Sequence, residues 1–198
     1  MTTVYYVRHC EPNYENHDDL TRELTSKGLE DRELVNQFFA DKHIDAVLSS
    51  PSKRAIDTVK MVAEKNNLEI EISENFKERE IGCWVEDFDA YSKKQWENFY
   101  YKLENGESLL QATVRNILKL NFTLEDYDSK TIVIGSHGTV LSTIISYYQP
   151  SFGFEDFQRI KNLMPWIVRF EFEGTKCTLI ESYDVFENSK TLIFRKED

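Results

Sequence analysis

An arginine followed by a histidine is an unusual way to end an apolar run, and Arg8-His9 does so directly after Val4-Tyr5-Tyr6-Val7. A second apolar run, Thr131-Ile132-Val133-Ile134, leads into Gly135-Ser136-His137-Gly138. A third, Asp45-Ala46-Val47-Leu48, leads through Ser49-Ser50-Pro51 to Arg54. In open α/β sheets ligands bind beyond the carboxyl ends of the strands. If these three runs are parallel strands, two guanidiniums and two of the chain's four imidazoles converge on one crevice. Such a set, with a helix N-terminus nearby, is an oxyanion pocket, and phosphate is the usual oxyanion.

The rest of the chain supplies the elements that must hold this set in place. Leu34, Val35, Phe38 and Phe39 recur at helical spacing after Thr25 and Gly28. Ser50-Pro51 reads as a helix opening, with Ser as cap and Pro in the first turn. Ala55, Ile56, Val59, Val62 and Ala63 give that helix its buried face. Glu69-Ile70-Glu71-Ile72 alternates as a strand does. Ser108 to Leu120 predicts a helix anchored by Val114, Ile117 and Leu118, and Leu141 to Tyr148 predicts another. Trp166 to Phe172 and Cys177 to Tyr183 predict a closing hairpin about Glu173-Gly174.

Alternating strands and helices with a late hairpin predict an α/β fold of three layers. The expected sheet is central and mostly parallel, with helices on both faces and an antiparallel edge. No repeat or composition break divides residues 1–198, so one domain is expected, with a helical insertion around 86–106. Within that insertion Tyr91, Trp96, Phe99, Tyr100 and Tyr101 either cover the pocket or pack against the surface.

Composition narrows the choice of partner. With 40% hydrophobic and 13% aromatic residues, the chain has the material for a core, and disorder is not expected. The formal charge of −11 argues against nucleic acid and anionic membranes, which are polyanions sampling the whole surface. It does not argue against a small ligand held by a local cationic cluster. No secretory leader and no membrane span are read, and Cys10, Cys83 and Cys177 form no CxxC pair. A cytoplasmic protein with neither a disulfide framework nor a zinc site is expected. The oligomeric state is not legible.

Six segments, in order, resemble the histidine phosphatase superfamily, also called the phosphoglycerate-mutase-like family. They are Arg8-His9-Cys10-Glu11-Pro12, Leu24-Thr25-Ser26-Lys27-Gly28, Ser49-Ser50-Pro51-Ser52-Lys53-Arg54-Ala55-Ile56-Asp57-Thr58, Glu78 with Gly82-Cys83-Trp84, Gly106-Glu107-Ser108, and Ser136-His137-Gly138. The resemblance spans residues 4 to 141, about 70% of the chain. One such match is weak and six in order are specific.

The resemblance implies a metal-independent phosphomonoesterase, without cofactor, acting on a small phosphorylated metabolite. His9 would be the nucleophile and form a phosphohistidine that water hydrolyses. Arg8 and Arg54 would keep His9 neutral and, with His137, stabilise the transferring phosphoryl oxygens. Glu78 would protonate the leaving alkoxide and then activate water, which requires it to hold a proton. Glu80, two residues on, shares a face with Glu78 in an extended segment, so spacing alone does not separate them; the match to Gly82 favours Glu78.

Two departures keep alternatives open. Cys10 replaces the usual Gly, where a side chain means either strain at positive φ or simple tolerance; beside two arginines its thiol could also be acidic and oxidisable. That residue also leaves room for a non-catalytic phospho-ligand binder. Glu15 stands where mutase members carry Asn. Asn13 or Asn16 could substitute in binding substrate, but the carboxylate disfavours a second phosphate and hence a phosphoglycerate mutase.

Overall fold

The computed structural model describes residues 1–196. Strands β1 (Thr2–Arg8), β2 (Ala46–Ser49), β3 (Ile70–Ile72), β4 (Thr131–Ser136), β5 (Trp166–Glu173), β6 (Lys176–Asp184) and β7 (Ser189–Arg195) form one sheet in the order β3-β2-β4-β1-β5-β6-β7. The pairs from β3 to β1 are parallel, and those from β1 to β7 antiparallel. The parallel core is the expected one. The antiparallel edge is larger than a hairpin, because β7 adds a third strand; its Leu192 is exposed, so no apolar period announced it.

Pleating sorts the strand residues between two helical layers. Val4, Tyr6, Leu48, Ile132 and Ile134 pack with Ile117, Leu120 and Leu124 of α4 (Leu109–Asp126) and Leu141 and Ile144 of α5 (Gly138–Tyr148). Tyr5, Val7, Val47 and Val133 face the other way. They meet Val35 of α1 (Ser26–Phe38), and Val59 and Val62 of α2 (Lys53–Lys65). Helices α3 (Phe88–Glu97) and α6 (Phe154–Ile160) lie together beside α5. Among the described residues no helix is long and apolar enough to cross a membrane.

Local signals explain the helix starts, and two expectations need correcting. Thr25 caps α1, accepting from the Gly28 amide at 3.0 Å, and Ser108 closes a capping box with Gln111 on α4. The cap position of α2 is Ser52, not Ser50, whose hydroxyl is drawn instead into the site below. On α4 only Ile117 of the three expected anchors is buried. Val114 and Leu118 are exposed, because the helix buries the stripe Leu109, Ala112, Asn116, Leu120, which includes polar members that periodicity of apolar residues passes over.

The register sets the site. Arg8 pairs with Ser136 and Ser49 with Gly135, so β1, β4 and β2 end level. The His9 amide then bonds the Ser136 carbonyl at 3.1 Å, and the Ser50 amide the Gly135 carbonyl at 3.0 Å. Both bonds carry the sheet one residue further, into the loops that hold His9, Ser50 and His137.

Candidate active site

His9 and His137 meet edge to face, with ring centroids 5.3 Å apart. His9 Nδ1–H donates to the Cys10 carbonyl at 2.7 Å, which leaves the lone pair on Nε2. Burial, then the charges of Arg54 and Arg8, hold its pKa well below the ordinary histidine value, so the ring is neutral. His137 is fully buried, and burial followed by Arg54 and His9 holds it low as well. Arg54 Nη2 lies 3.2 Å from His137 Nδ1 and can only donate, so Nδ1 accepts and Nε2–H donates to Ser50 Oγ at 2.7 Å.

The two arginines are held differently. Arg8 Nη1 donates to the carbonyls of Ile160 and Leu163, at 2.9 and 3.3 Å, and its Nε is buried with no partner. Gly138 makes room for it: a Cβ there would stand 2.8 Å from the guanidinium carbon. Arg54 reaches His137 on one side and Asp19 on the other, where Asp19 Oδ1 lies 2.9 Å from Nη2. Burial lowers both arginines' pKa from its usual value; Glu78 works against this at each, with Asp19 adding to it at Arg54.

Glu78 lies at the start of α5. One of its oxygens accepts from the Thr139 amide at 3.0 Å, the other from Val140 at 3.2 Å and Arg79 at 2.7 Å. A carboxylate suits a helix N-terminus, whose free amides point outward. Glu80 faces solvent, paired with Lys77 at 3.1 Å. The geometry thus separates two residues that spacing could not.

Behind Glu78 stands a brace that sequence reading missed. Arg115 of α4 donates to the carbonyls of Asn75, Lys77 and Glu78, each at 2.9 Å, and pairs with Glu107 at 2.7 Å. Glu107 in turn accepts from the Glu80 amide at 3.1 Å. Gly82 (φ +87°) and Gly106 let the two loops touch backbone to backbone; a Cβ on Gly82 would lie 2.5 Å from the Asn105 carbonyl carbon. The two glycines belong to segments quoted above, so those motifs bear on where Glu78 sits. Nothing in the spacing pointed to Arg115.

The remaining expected positions lie apart or behave otherwise. The Asn13 amide nitrogen donates to Glu23 at 2.7 Å and that of Asn16 to the same carboxylate at 2.9 Å. These bonds push Glu23 down to about 2. Both asparagines thus shape the loop, with Asn13 turned to Glu23. Cys10 has no positive φ, and it packs with Val7, Leu24 and Val35 in the core on the α1–α2 side. Burial pushes its thiol up to about 12, so the expectation of an acidic, oxidisable thiol is corrected: the amide of Cys10, bonded to Thr58 Oγ1 at 3.0 Å, faces the site's framework, and the sulfur faces the core. The aromatic insertion mostly packs. Tyr91 is buried under the Arg79 guanidinium, Trp96 meets Phe99 and Phe157, and Tyr100 is exposed.

Comparison with known proteins identifies the family. The family model of the histidine phosphatase superfamily (branch 1) matches residues 4–185. The chain is 24% identical over 192 residues to the uncharacterized phosphatase PhoE of Bacillus subtilis, covering 93% of this chain and 95% of that one. It is 30% identical over 152 residues to phosphoserine phosphatase 1 of Hydrogenobacter thermophilus, covering 69% and 71%. Its fold matches the structure of Bacillus stearothermophilus YhfR with a TM-score of 0.73, at 19% identity over 89% of this chain and 94% of that one. By the extent of the family match, the chain belongs to the histidine phosphatase superfamily, branch 1.

Proposed function

We propose that the protein is a phosphomonoesterase that hydrolyses a small phosphorylated metabolite through a phosphohistidine on His9. The observation that carries this reading is the state of His9. It is a neutral imidazole whose Nδ1–H is tied to a backbone carbonyl, which leaves Nε2 unprotonated among two arginines. A nucleophile needs that lone pair, and the phosphoryl group needs those cations.

In the first step Nε2 of His9 attacks phosphorus, the N–P bond forms, and the ester P–O bond breaks. Arg8 and Arg54 hold the equatorial oxygens, where charge accumulates in a loose transition state. His137 orients Arg54 through its Nδ1 and adds Nε2–H as a donor when Ser50 releases it. Glu78, at the start of α5, gives a proton to the departing alkoxide. In the second step Glu78 takes a proton from water, the oxygen attacks phosphorus, and the P–N bond breaks to give inorganic phosphate.

The size of the substrate follows from charge. The cationic cluster is local, in a chain of net charge −11, so a compact ester fits and an extended polyanion is repelled. Kinship with a phosphoserine phosphatase supports an ester of a small hydroxylated metabolite. Glu15 and Glu23 on the loop after Pro12 weigh against a mutase, which must hold a second phosphate. A soluble, cytoplasmic enzyme that needs no metal completes the reading.

The test is hydrolysis of para-nitrophenyl phosphate with EDTA present, wild type beside His9→Ala. The wild type is expected to turn over and to trap an acid-labile phosphoenzyme, and His9→Ala to do neither. Hydrolysis that survives in His9→Ala overturns the mechanism.

A further inference from the structure

Among the described residues Arg54 has one carboxylate partner, and it comes from a surface loop. Asp19 Oδ1 takes Nη2 at 2.9 Å, and the Asp19 carbonyl takes Nη1 at 2.5 Å. One residue thus engages both terminal nitrogens of a side chain that is 3% exposed, while its own side chain is 61% exposed. The loop is built to hold it there. Asp18 Oδ1 accepts from the Leu20 and Thr21 amides at 2.9 and 2.7 Å. Arg22 donates to the carbonyls of Asn16 and His17, and the Lys53 amide at the start of α2 donates to Leu20.

A carboxylate on a guanidinium and a phosphoryl group on the same guanidinium use the same kind of geometry: oxygens set against a planar fork of N–H donors. Asp19 therefore holds one terminal nitrogen of Arg54 through its carboxylate and the other through its backbone carbonyl, and the carboxylate contact is of the kind that a phosphoryl oxygen makes. Resting on the reading of the site given above, we propose that Asp19 determines specificity: it occupies Arg54 until the phosphoryl group displaces it, and then stands as an anion beside the bound ester and disfavours esters with further negative charge.

The charges around Asp19 fit such discrimination. Arg22 Nη1, 3.4 Å from Asp19 Oδ1, is the cation to which the displaced carboxylate stays tethered. Glu15, Asp18 and Glu23 on the same loop add three more acids. Arg22 also lies close enough to lower the pKa of both His9 and Arg54, so the loop and the catalytic cluster sense one another. A substrate whose second charge is an ammonium meets this rim favourably, and one whose second charge is a carboxylate does not.

The experiment compares wild type, Asp19→Asn, Asp19→Ser and Glu15→Gln. Inorganic phosphate binding is read by calorimetry, and kcat/KM is read for phosphoethanolamine and for 3-phosphoglycerate. Loss of the Asp19 charge is expected to tighten phosphate roughly fivefold, the upper range for an exposed ion pair, in both Asp19 variants. The same variants are expected to reduce the preference for phosphoethanolamine over 3-phosphoglycerate by a similar factor. Phosphate affinity that stays the same or weakens overturns the proposal, since it makes Asp19 a mere support for Arg54. An equal shift in Glu15→Gln also overturns it, because the effect is then the loop's general field. A wild type that binds phosphate without hydrolysing any ester removes the catalytic reading and leaves the displacement testable. One that binds no phosphate overturns both.

Discussion

Two arginines on the same sheet are treated in opposite ways. Arg169, on the antiparallel half, is paired with Glu171 and with Glu181 at 2.9 Å, and Lys190 reaches Glu181 from the other side at 2.9 Å. Those acids raise its pKa, against the pull of burial. Arg8, on the neighbouring strand, has no carboxylate within ion-pair distance among the described residues; it has carbonyl partners and an unpartnered Nε. Burial prevails there, and its pKa is lowered. A fold that neutralises one arginine within its own sheet and leaves another short of negative charge suits the second to the anionic ligand proposed above. Buried cations without acids are costly, and they persist where something anionic arrives to complete them.

The sharpest way to break this comparison is to remove each arginine in turn. Arg8→Ala is expected to lower kcat/KM by about 10²–10³, the range for losing one preorganised donor to a developing charge, while leaving the melting temperature nearly unchanged. Arg169→Met is expected to do the reverse. It strands Glu171 and leaves Glu181 to Lys190 and Tyr183, costs about 1–3 kcal/mol in denaturant unfolding, and leaves kcat/KM within twofold. Equal stability losses from the two variants would make Arg8 as structural as Arg169.

A second contrast is narrower, between Glu78 at the start of α5 and Glu80 on the surface. On an alkyl phosphate, whose leaving group needs a proton, Glu78→Gln is expected to lower kcat by about 10²–10⁴. On para-nitrophenyl phosphate, whose leaving group does not, the loss should be much smaller. Glu80→Gln gives up only an exposed pair with Lys77, and is expected to change either rate less than twofold. A loss in Glu78→Gln that is the same for both substrates would assign Glu78 to positioning, not proton transfer.

The paired histidines extend the contrast to pH. Both have folded-state pKa values below the unfolded value near 6.5, so below that pH the unfolded chain binds protons that the folded one refuses. Stability is therefore fully present above pH 6.5 and falls as pH drops, by about 1.4 kcal/mol per pH unit for each histidine. The acids whose folded pKa is depressed, such as Asp45 and Glu181, act only below the ordinary carboxylate range, so pH 6.5 to 5 isolates the histidines. Urea unfolding across that window should show the slope, and His137→Asn should remove about half of it. The hydrolysis rate should hold through the same window, since His9 remains neutral.

How far the sequence could be read depended on whether a residue's role was local. Strand ends, the helical stretches after Thr25 and from Ser108, and the apolar faces of α1 and α2 follow from neighbours within four residues, and each was legible. The convergence of Arg8, His9, Arg54 and His137 was also legible, because parallel strands in one sheet end on one edge. The failures share a cause: the partner is remote in sequence. Ser50 reads as a cap from its neighbour Pro51, yet its hydroxyl is taken by His137, 87 positions away. Nothing among its sequence neighbours marks Arg115 of α4, yet it braces the backbone of residues 75–78. Asp19 is one of 35 acids in the chain, and only the fold sets it on Arg54.

Cys10 gives the smallest expected effect and the most direct check on which way a chain position faces. It follows His9 immediately, and proximity in sequence suggested proximity to the arginines. The extended backbone instead sends successive side chains to opposite sides, so His9 looks into the site and Cys10 into the core with Val35 and Leu24. Its thiol, raised to about 12, gives almost no thiolate near neutral pH. Cys83 is the exposed thiol. Under native conditions iodoacetamide should therefore label Cys83 and spare Cys10 and Cys177, as read by peptide mass mapping, with activity unchanged. Low peroxide should likewise leave wild type and Cys10→Ser equally active, although Cys10→Ser, which puts a hydroxyl among apolar neighbours, should unfold about 1–3 kcal/mol more easily. Rapid labelling of Cys10 with loss of activity would place its sulfur in the pocket and reverse the inside-outside assignment of the whole segment after β1.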